Sequence, residues 1–123
     1  MGGVRETIMC MQRVKQYRVG LSTAAMKDIK RTREYIFVHF KYRSYAEKYL
    51  KEIKKAVLGL TVFPEGYEQT EFEVRGSSIY YKPYKNYLIF YIIENTEVCI
   101  LRIINNRMNW KEILKNLSNE SDI

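Results

Sequence analysis

The sequence predicts an α+β domain: an N-terminal strand, an antiparallel two-helix hairpin packed on a mostly antiparallel sheet of three to four strands, and a short C-terminal helix. Three observations carry that prediction. Apolar residues recur at helical spacing between Ala25 and Leu60. From Phe72 the period changes to two, and beyond Trp110 it returns to helical.

The first element is Tyr17-Arg18-Val19-Gly20-Leu21, which alternates as a short strand does. Ser22 or Thr23 can then cap a helix whose buried stripe reads Ala25, Ile29, Thr32, Ile36 and Phe40, ending near Tyr42. Ser44-Tyr45-Ala46-Glu47 has the form of a capping box and opens a second helix, with Ala46, Tyr49, Leu50, Ile53, Val57 and Leu60 along its stripe. Pro64 and Gly66 stop it. The hinge at Arg43 is too short for another element, so the two helices form a hairpin.

Phe72 and Val74 alternate with charged residues, and Gly76-Ser77 marks a turn. Ile79–Lys82 follows as a strand that Pro83 ends or places at an edge. Tyr87–Glu94 and Glu97–Ile104 are the strongest strands, joined by a two-residue turn at Asn95-Thr96. Both are apolar on both faces, so the sheet is covered on both sides. With that turn, Leu88, Phe90 and Ile92 fall opposite Ile103, Leu101 and Cys99. Trp110, Ile113, Leu114 and Leu117 lie on one side of a last helix. Residues 17–118 thus read as one domain, between a basic N-terminal tail at 1–16 and a frayed end at 119–123.

Composition narrows the function classes. The 123 residues include 11 tyrosines, whose broad rings and polar tips suit a partner-covered surface as well as a core. A net charge of +7 favours polyanions or an acidic protein partner. Cys10 and Cys99 form no metal or disulfide pattern, so no metal or organic cofactor is implied and a reducing cytoplasm is expected. No apolar run approaches the roughly 18 residues that span a membrane, and the N-terminus lacks the apolar core of a signal peptide.

The tract Tyr87-Leu88-Ile89-Phe90-Tyr91, followed by Ile100-Leu101-Arg102-Ile103-Ile104-Asn105-Asn106-Arg107-Met108-Asn109-Trp110, resembles the RelE/ParE toxin superfamily. The element order and the Pro64-Glu65-Gly66 end of the hairpin agree with it, over about residues 17–115. The resemblance implies the toxin of a type II toxin–antitoxin (plasmid stabilization) system, held by a small antitoxin. RelE-like members cut mRNA on the ribosome; ParE-like members inhibit DNA gyrase.

The residues lean towards binding over cutting. Cleaving RNA through its 2′-hydroxyl needs a base, an acid and cations around the phosphorane. RelE-like nucleases place an arginine where this chain has Leu88, and a histidine where it has Asn105. Leucine offers neither charge nor hydrogen bond, and an amide is no general base near neutral pH. Arg107 matches the family's late arginine and is the one candidate for a catalytic role. Lys82, Lys85, Arg102, Arg107, Asn105 and Trp110 are candidates for contact with the target. Tyr80, Tyr81 and Tyr84 lie among these cations, an arrangement that can stack bases but is common in ordinary strands. His39, the only histidine, reads as a surface or half-buried helix residue.

The expectation is a ParE-like inhibitor of gyrase with no nuclease chemistry. The alternative is a RelE-like ribosome-dependent endoribonuclease, with ribosome and mRNA as partners, and a second alternative is an interaction module without toxicity. The expected antitoxin is acidic and partly disordered, drawn by charge onto Leu88, Phe90, Ile92 and Leu101 if their face is open.

Overall fold

In the computed structural model, which describes residues 16–121, the chain runs β1 (Arg18–Leu21), α1 (Thr23–Phe40), α2 (Arg43–Leu58), two single 3₁₀ turns (Gly59–Thr61 and Pro64–Gly66), β2 (Glu68–Val74), β3 (Ser77–Tyr84), β4 (Tyr87–Glu94), β5 (Glu97–Asn105) and α3 (Trp110–Ser121). The five strands form one sheet in the order β1-β5-β4-β3-β2. All neighbours are antiparallel except β1, which lies parallel to β5. The expected tail at 1–16 falls outside the described residues except for Gln16, which bridges to Val62. Helix α3 extends to Ser121, and residues 122 and 123 of the expected frayed end lie outside the described residues.

The sheet is covered on both faces. On one side α2 and the turn after it bring Ile53, Ala56, Val57 and Leu60 onto Ile89, Tyr91, Val98, Ile100 and Ile103. On the other, α3 lays Leu114 and the half-buried Trp110, Ile113 and Leu117 over Phe90, Ile92, Leu101 and Ile104. Each such aliphatic residue removed from water contributes about 1.5–3 kcal/mol. No helix among the described residues is long and apolar enough to cross a membrane.

The strongest strands run as their sequence predicts, but their register does not. Ile92 faces Cys99 as expected, and then a bulge intervenes: Tyr91 faces Ile100 while Phe90 faces Arg102. Leu101 is the extra residue. Beyond it every pairing shifts by one, so Leu88 faces Ile104 and Ile103 turns to the hairpin side. Periodicity cannot reveal a bulge, because both strands stay apolar through it.

The bulge has a partner. Ser22 caps α1, its hydroxyl accepting from the Ala25 amide at 3.0 Å while donating to the Leu101 carbonyl at 2.9 Å. One turn on, the buried Asp28 carboxylate receives Arg102 Nε at 2.7 Å, Arg102 Nη2 at 2.8 Å and the Ile103 amide at 3.0 Å. The first helix is thereby fastened to β5 at the point where the ladder is interrupted.

Other departures are local. Helix α2 starts at Arg43 with Tyr42 as N-cap and no side-chain cap bond. Ser44 therefore sits inside the first turn and the capping box does not form; Glu47 bonds Arg33 instead, at 3.1 Å. Lys41, at φ 57, ends α1 two residues early by donating to the Phe37 carbonyl. Phe40, assigned to the buried stripe, is 56% exposed, whereas Asp28 is 5% exposed. The first hairpin turn is Arg75-Gly76, both at positive φ, not Gly76-Ser77. Pro83 lies within β3 yet costs no ladder bond to β2, because β2 pairs only as far as Tyr81.

Two tyrosines in the hairpin-side core yield predictions. Tyr91 donates its buried hydroxyl to the Pro64 carbonyl at 2.6 Å, and burial raises its pKa. The buried Tyr49 hydroxyl has no partner of good hydrogen-bond geometry; burial pushes its pKa up to about 12, with Thr32 acting in the opposite sense. Removing an unsatisfied hydroxyl removes a desolvation penalty, so Tyr49→Phe raises stability by about 1 kcal/mol in urea unfolding. A loss of stability would mean that hydroxyl is bonded. Both phenols titrate near pH 10 when unfolded and higher when folded, so their contribution is complete below about pH 10 and lost above it. Unfolding free energy falls by about 1.4 kcal/mol per pH unit for each tyrosine between about pH 10 and 12, and Tyr49→Phe makes that fall shallower.

Candidate target-binding site

The segment after β5 is wound tightly. Asn106 N donates to the Asn86 carbonyl at 2.8 Å, Met108 N to the Asn105 carbonyl at 3.0 Å, and Arg107 N to Asn105 Oδ1 at 2.9 Å. Asn105 thus uses its side-chain oxygen on its own turn, as asparagine does when it mimics a backbone turn. That leaves it a structural role and presents the exposed Arg107 at the end of the sheet.

Arg107 lines a cleft of about 440 Å³ with Met108, Asn105, Tyr87 of β4, and Arg31, Thr32 and Tyr35 of α1. Among the described residues neither Arg31 nor Arg107 forms an ion pair. Burial raises the Tyr87 pKa, with Tyr35 adding to the shift, so this phenol stays a hydrogen-bond donor at neutral pH. The lining carries no carboxylate, so the cleft suits an oxyanion such as a carboxylate or phosphate. Sequence reasoning found Arg107 and Asn105 but missed Arg31, Thr32 and Tyr35, which lie 70 or more positions away and reach the cleft only because α1 is bound to β5.

The other candidate cations hold the fold. Arg102 is committed to Asp28, whose carboxylate raises the guanidinium pKa further. Within β3, the Lys82 ammonium donates to the Ala56 carbonyl at 2.8 Å, near the C-terminal end of α2, where a cation is favoured. It also sits 5.5 Å from the centre of the Tyr67 ring. Lys85 pairs with Glu52 at 2.6 Å; the bond and the opposite charge lower the Glu52 pKa and raise that of Lys85. Trp110 packs on Phe90 with ring centres 5.5 Å apart, as part of the lid that α3 forms.

Leu88, Phe90, Ile92 and Leu101, the candidates for antitoxin contact, lie under that lid. Phe90 and Ile92 are fully buried, so a partner reaches them only by displacing α3. Leu88 packs on the same side, so the position of the nuclease arginine faces apolar neighbours. His39 sits one turn beyond Tyr35, stacked on its ring at 3.8 Å with Nδ1 against the Tyr35 carbonyl. It does not line the cleft. Among the described residues no group of three or more His, Cys, Asp and Glu is placed to hold a metal ion.

Comparison with known proteins agrees with the geometry. The structure is similar to a solved chain of the chromosomal ParDE toxin–antitoxin system from P. aeruginosa, with a TM-score of 0.60 and 18% identity, covering 74% of this chain and 97% of that one. At that identity the likeness speaks for the fold. No curated protein matches the chain. The family model for ParE toxins of the parDE type II toxin–antitoxin system matches residues 19–110, from β1 to the first residue of α3. This chain belongs to the ParE toxin family of type II toxin–antitoxin systems.

Proposed function

We propose that the chain stops growth by binding an essential target, DNA gyrase, without cutting RNA itself, and that a cognate antitoxin, acidic and partly disordered, neutralises it. The observation that carries the binding reading is Leu88, which lies at the nuclease arginine's position and packs among apolar residues under α3. Asn105 strengthens it, since its side-chain oxygen is spent on the Arg107 amide. Family membership supports the toxin role. Arg107 is retained as the target contact, with Arg31 beside it in the cleft.

The same two arginines are also what favours the second reading, a ribosome-dependent endoribonuclease that works through cations alone. Induced expression with supercoiling and translation readouts separates the two. The binding reading expects relaxed plasmid DNA and intact mRNA. Codon-specific mRNA fragments with unaffected supercoiling would overturn it, and no growth effect without the antitoxin would favour a non-toxic interaction module.

Two substitutions refine the test. Arg107→Ala is expected to weaken growth inhibition about tenfold or more while changing stability by less than about 0.5 kcal/mol, as for an exposed side chain without a fold contact. Unchanged inhibition would remove Arg107 from the site. Leu88→Arg restores the nuclease arginine but inserts a charge among apolar side chains; it should cost about 1–3 kcal/mol and produce no mRNA cleavage.

A further inference from the structure

The cleft where Arg107 meets α1 is built from parts that the core holds in place. Tyr87 packs on the buried Tyr49 with ring centres 5.3 Å apart. Arg31 and Thr32 lie one helical turn beyond Asp28, which Arg102 anchors. The turn after β5 is fixed by bonds from the Asn106, Arg107 and Met108 amides. The volume of about 440 Å³ falls within the range of small-molecule sites, roughly 300–1,000 Å³.

The charge of a ligand follows from the two arginines. Arg31 and Arg107 form no ion pair among the described residues, and no acid is among those that line the cleft. A single carboxylate would offset one of the two charges. A phosphate monoester carries about 1.5 to 2 negative charges near neutral pH, enough for both, and three acceptor oxygens. Beyond the guanidinium forks, the Tyr87 phenol, the Thr32 hydroxyl and the Asn105 NH2 can donate to those oxygens. The rest of the ligand follows from Tyr35, which is 57% exposed at the cleft. One face of its ring lies on His39, with ring centres 3.8 Å apart and planes 26° from parallel. The ring is thereby braced, and its other face is left for a planar group. An aromatic face beside arginines suits a base attached to a phosphate.

We propose that this cleft binds a nucleoside monophosphate, with the phosphate between Arg31 and Arg107 and the base on Tyr35. A single nucleotide fits better than a strand, because the cations of the sheet are spent inside the chain: Lys82 on the Ala56 carbonyl, Lys85 on Glu52 and Arg102 on Asp28. A nucleic-acid backbone therefore finds no charged track across the sheet to follow. The assignment goes beyond the target-binding reading and stands whichever target the chain has. Arg107 is also the proposed target contact, so ligand binding is measured on the purified chain with no target present, and the two readings fail separately.

The test uses the full chain and AMP carrying an N-methylanthraniloyl group on its ribose, read by fluorescence anisotropy. Saturable binding is expected, displaced by unlabelled AMP and at least about tenfold less well by adenosine, inorganic phosphate or succinate. Arg31→Ala and Arg107→Ala should each weaken binding about tenfold, and Tyr35→Ala about fivefold or more, with thermal melts confirming that the variants fold. Tyr35→Phe keeps the ring, and Lys54→Ala removes one charge at an exposed position of α2; both should stay within about twofold. Absence of saturable binding, equal displacement by adenosine or succinate, or an unchanged affinity for Tyr35→Ala would overturn the proposal. So would an equal loss for Lys54→Ala, which would reduce the effect to net charge. A 5′-hydroxyl DNA strand of about ten nucleotides that displaces the probe more than about tenfold better than AMP would also overturn it, since the surface would then follow a nucleic-acid backbone.

Discussion

One buried carboxylate organises this molecule. Asp28 lies at 5% exposure, where an unpaired charge would cost several kcal/mol. Its two oxygens are met by both arms of Arg102 and by the Ile103 amide, which points at α1 because the bulge at Leu101 turns it out of the ladder's regular course. Such a pair adds little net stability compared with well-packed apolar residues. Its effect is on geometry, because an incorrect seating of α1 would leave a charge buried without a partner. With Ser22 fixed to the Leu101 carbonyl, the bond sets where β1 ends, where α1 begins and how the hairpin lies across β5.

That placement separates the cations into two populations. Arg102, Lys82 and Lys85 each spend their charge on a carboxylate or carbonyl inside the chain. Arg31 and Arg107 come together in a cleft without an acidic lining residue, and the last turns of α1 run out to a cluster of exposed aromatic rings. The arginines without an ion partner and the exposed aromatic rings therefore lie on the hairpin and at the end of the sheet. The greasy face of β4 and β5, which invites an antitoxin when viewed as sequence, is occupied by α3.

Much of this was legible in the residues. The hairpin, the two long strands and the Asn95-Thr96 turn follow from apolar period and turn chemistry, and the tail from Tyr87 to Trp110 carries the family. What was hidden was non-local. Nothing local separates Asp28 from the other charges of its helix, and only its tertiary partner makes it a core residue. The bulge left no trace because Leu101, Ile103 and Ile104 suit either face of a doubly covered sheet. Phe40 matched the helical stripe but stays 56% exposed beside Tyr45 at the closed end of the hairpin. Within the candidate site, Arg107 was marked by its motif, while Arg31 and Tyr35 sit among many exposed helix residues with no local signal.

The central claim is that Arg102 holds the fold and does not meet the target. A double-mutant cycle on Asp28 and Arg102, read by urea unfolding and by growth inhibition in the same variants, tests it most directly. Asp28→Leu and Arg102→Met are each expected to destabilise by about 3–5 kcal/mol, with a coupling above about 2 kcal/mol, while the double variant recovers most of the loss and inhibits growth as the parent does. A coupling near zero, or a stable double variant that no longer inhibits growth, would contradict the account.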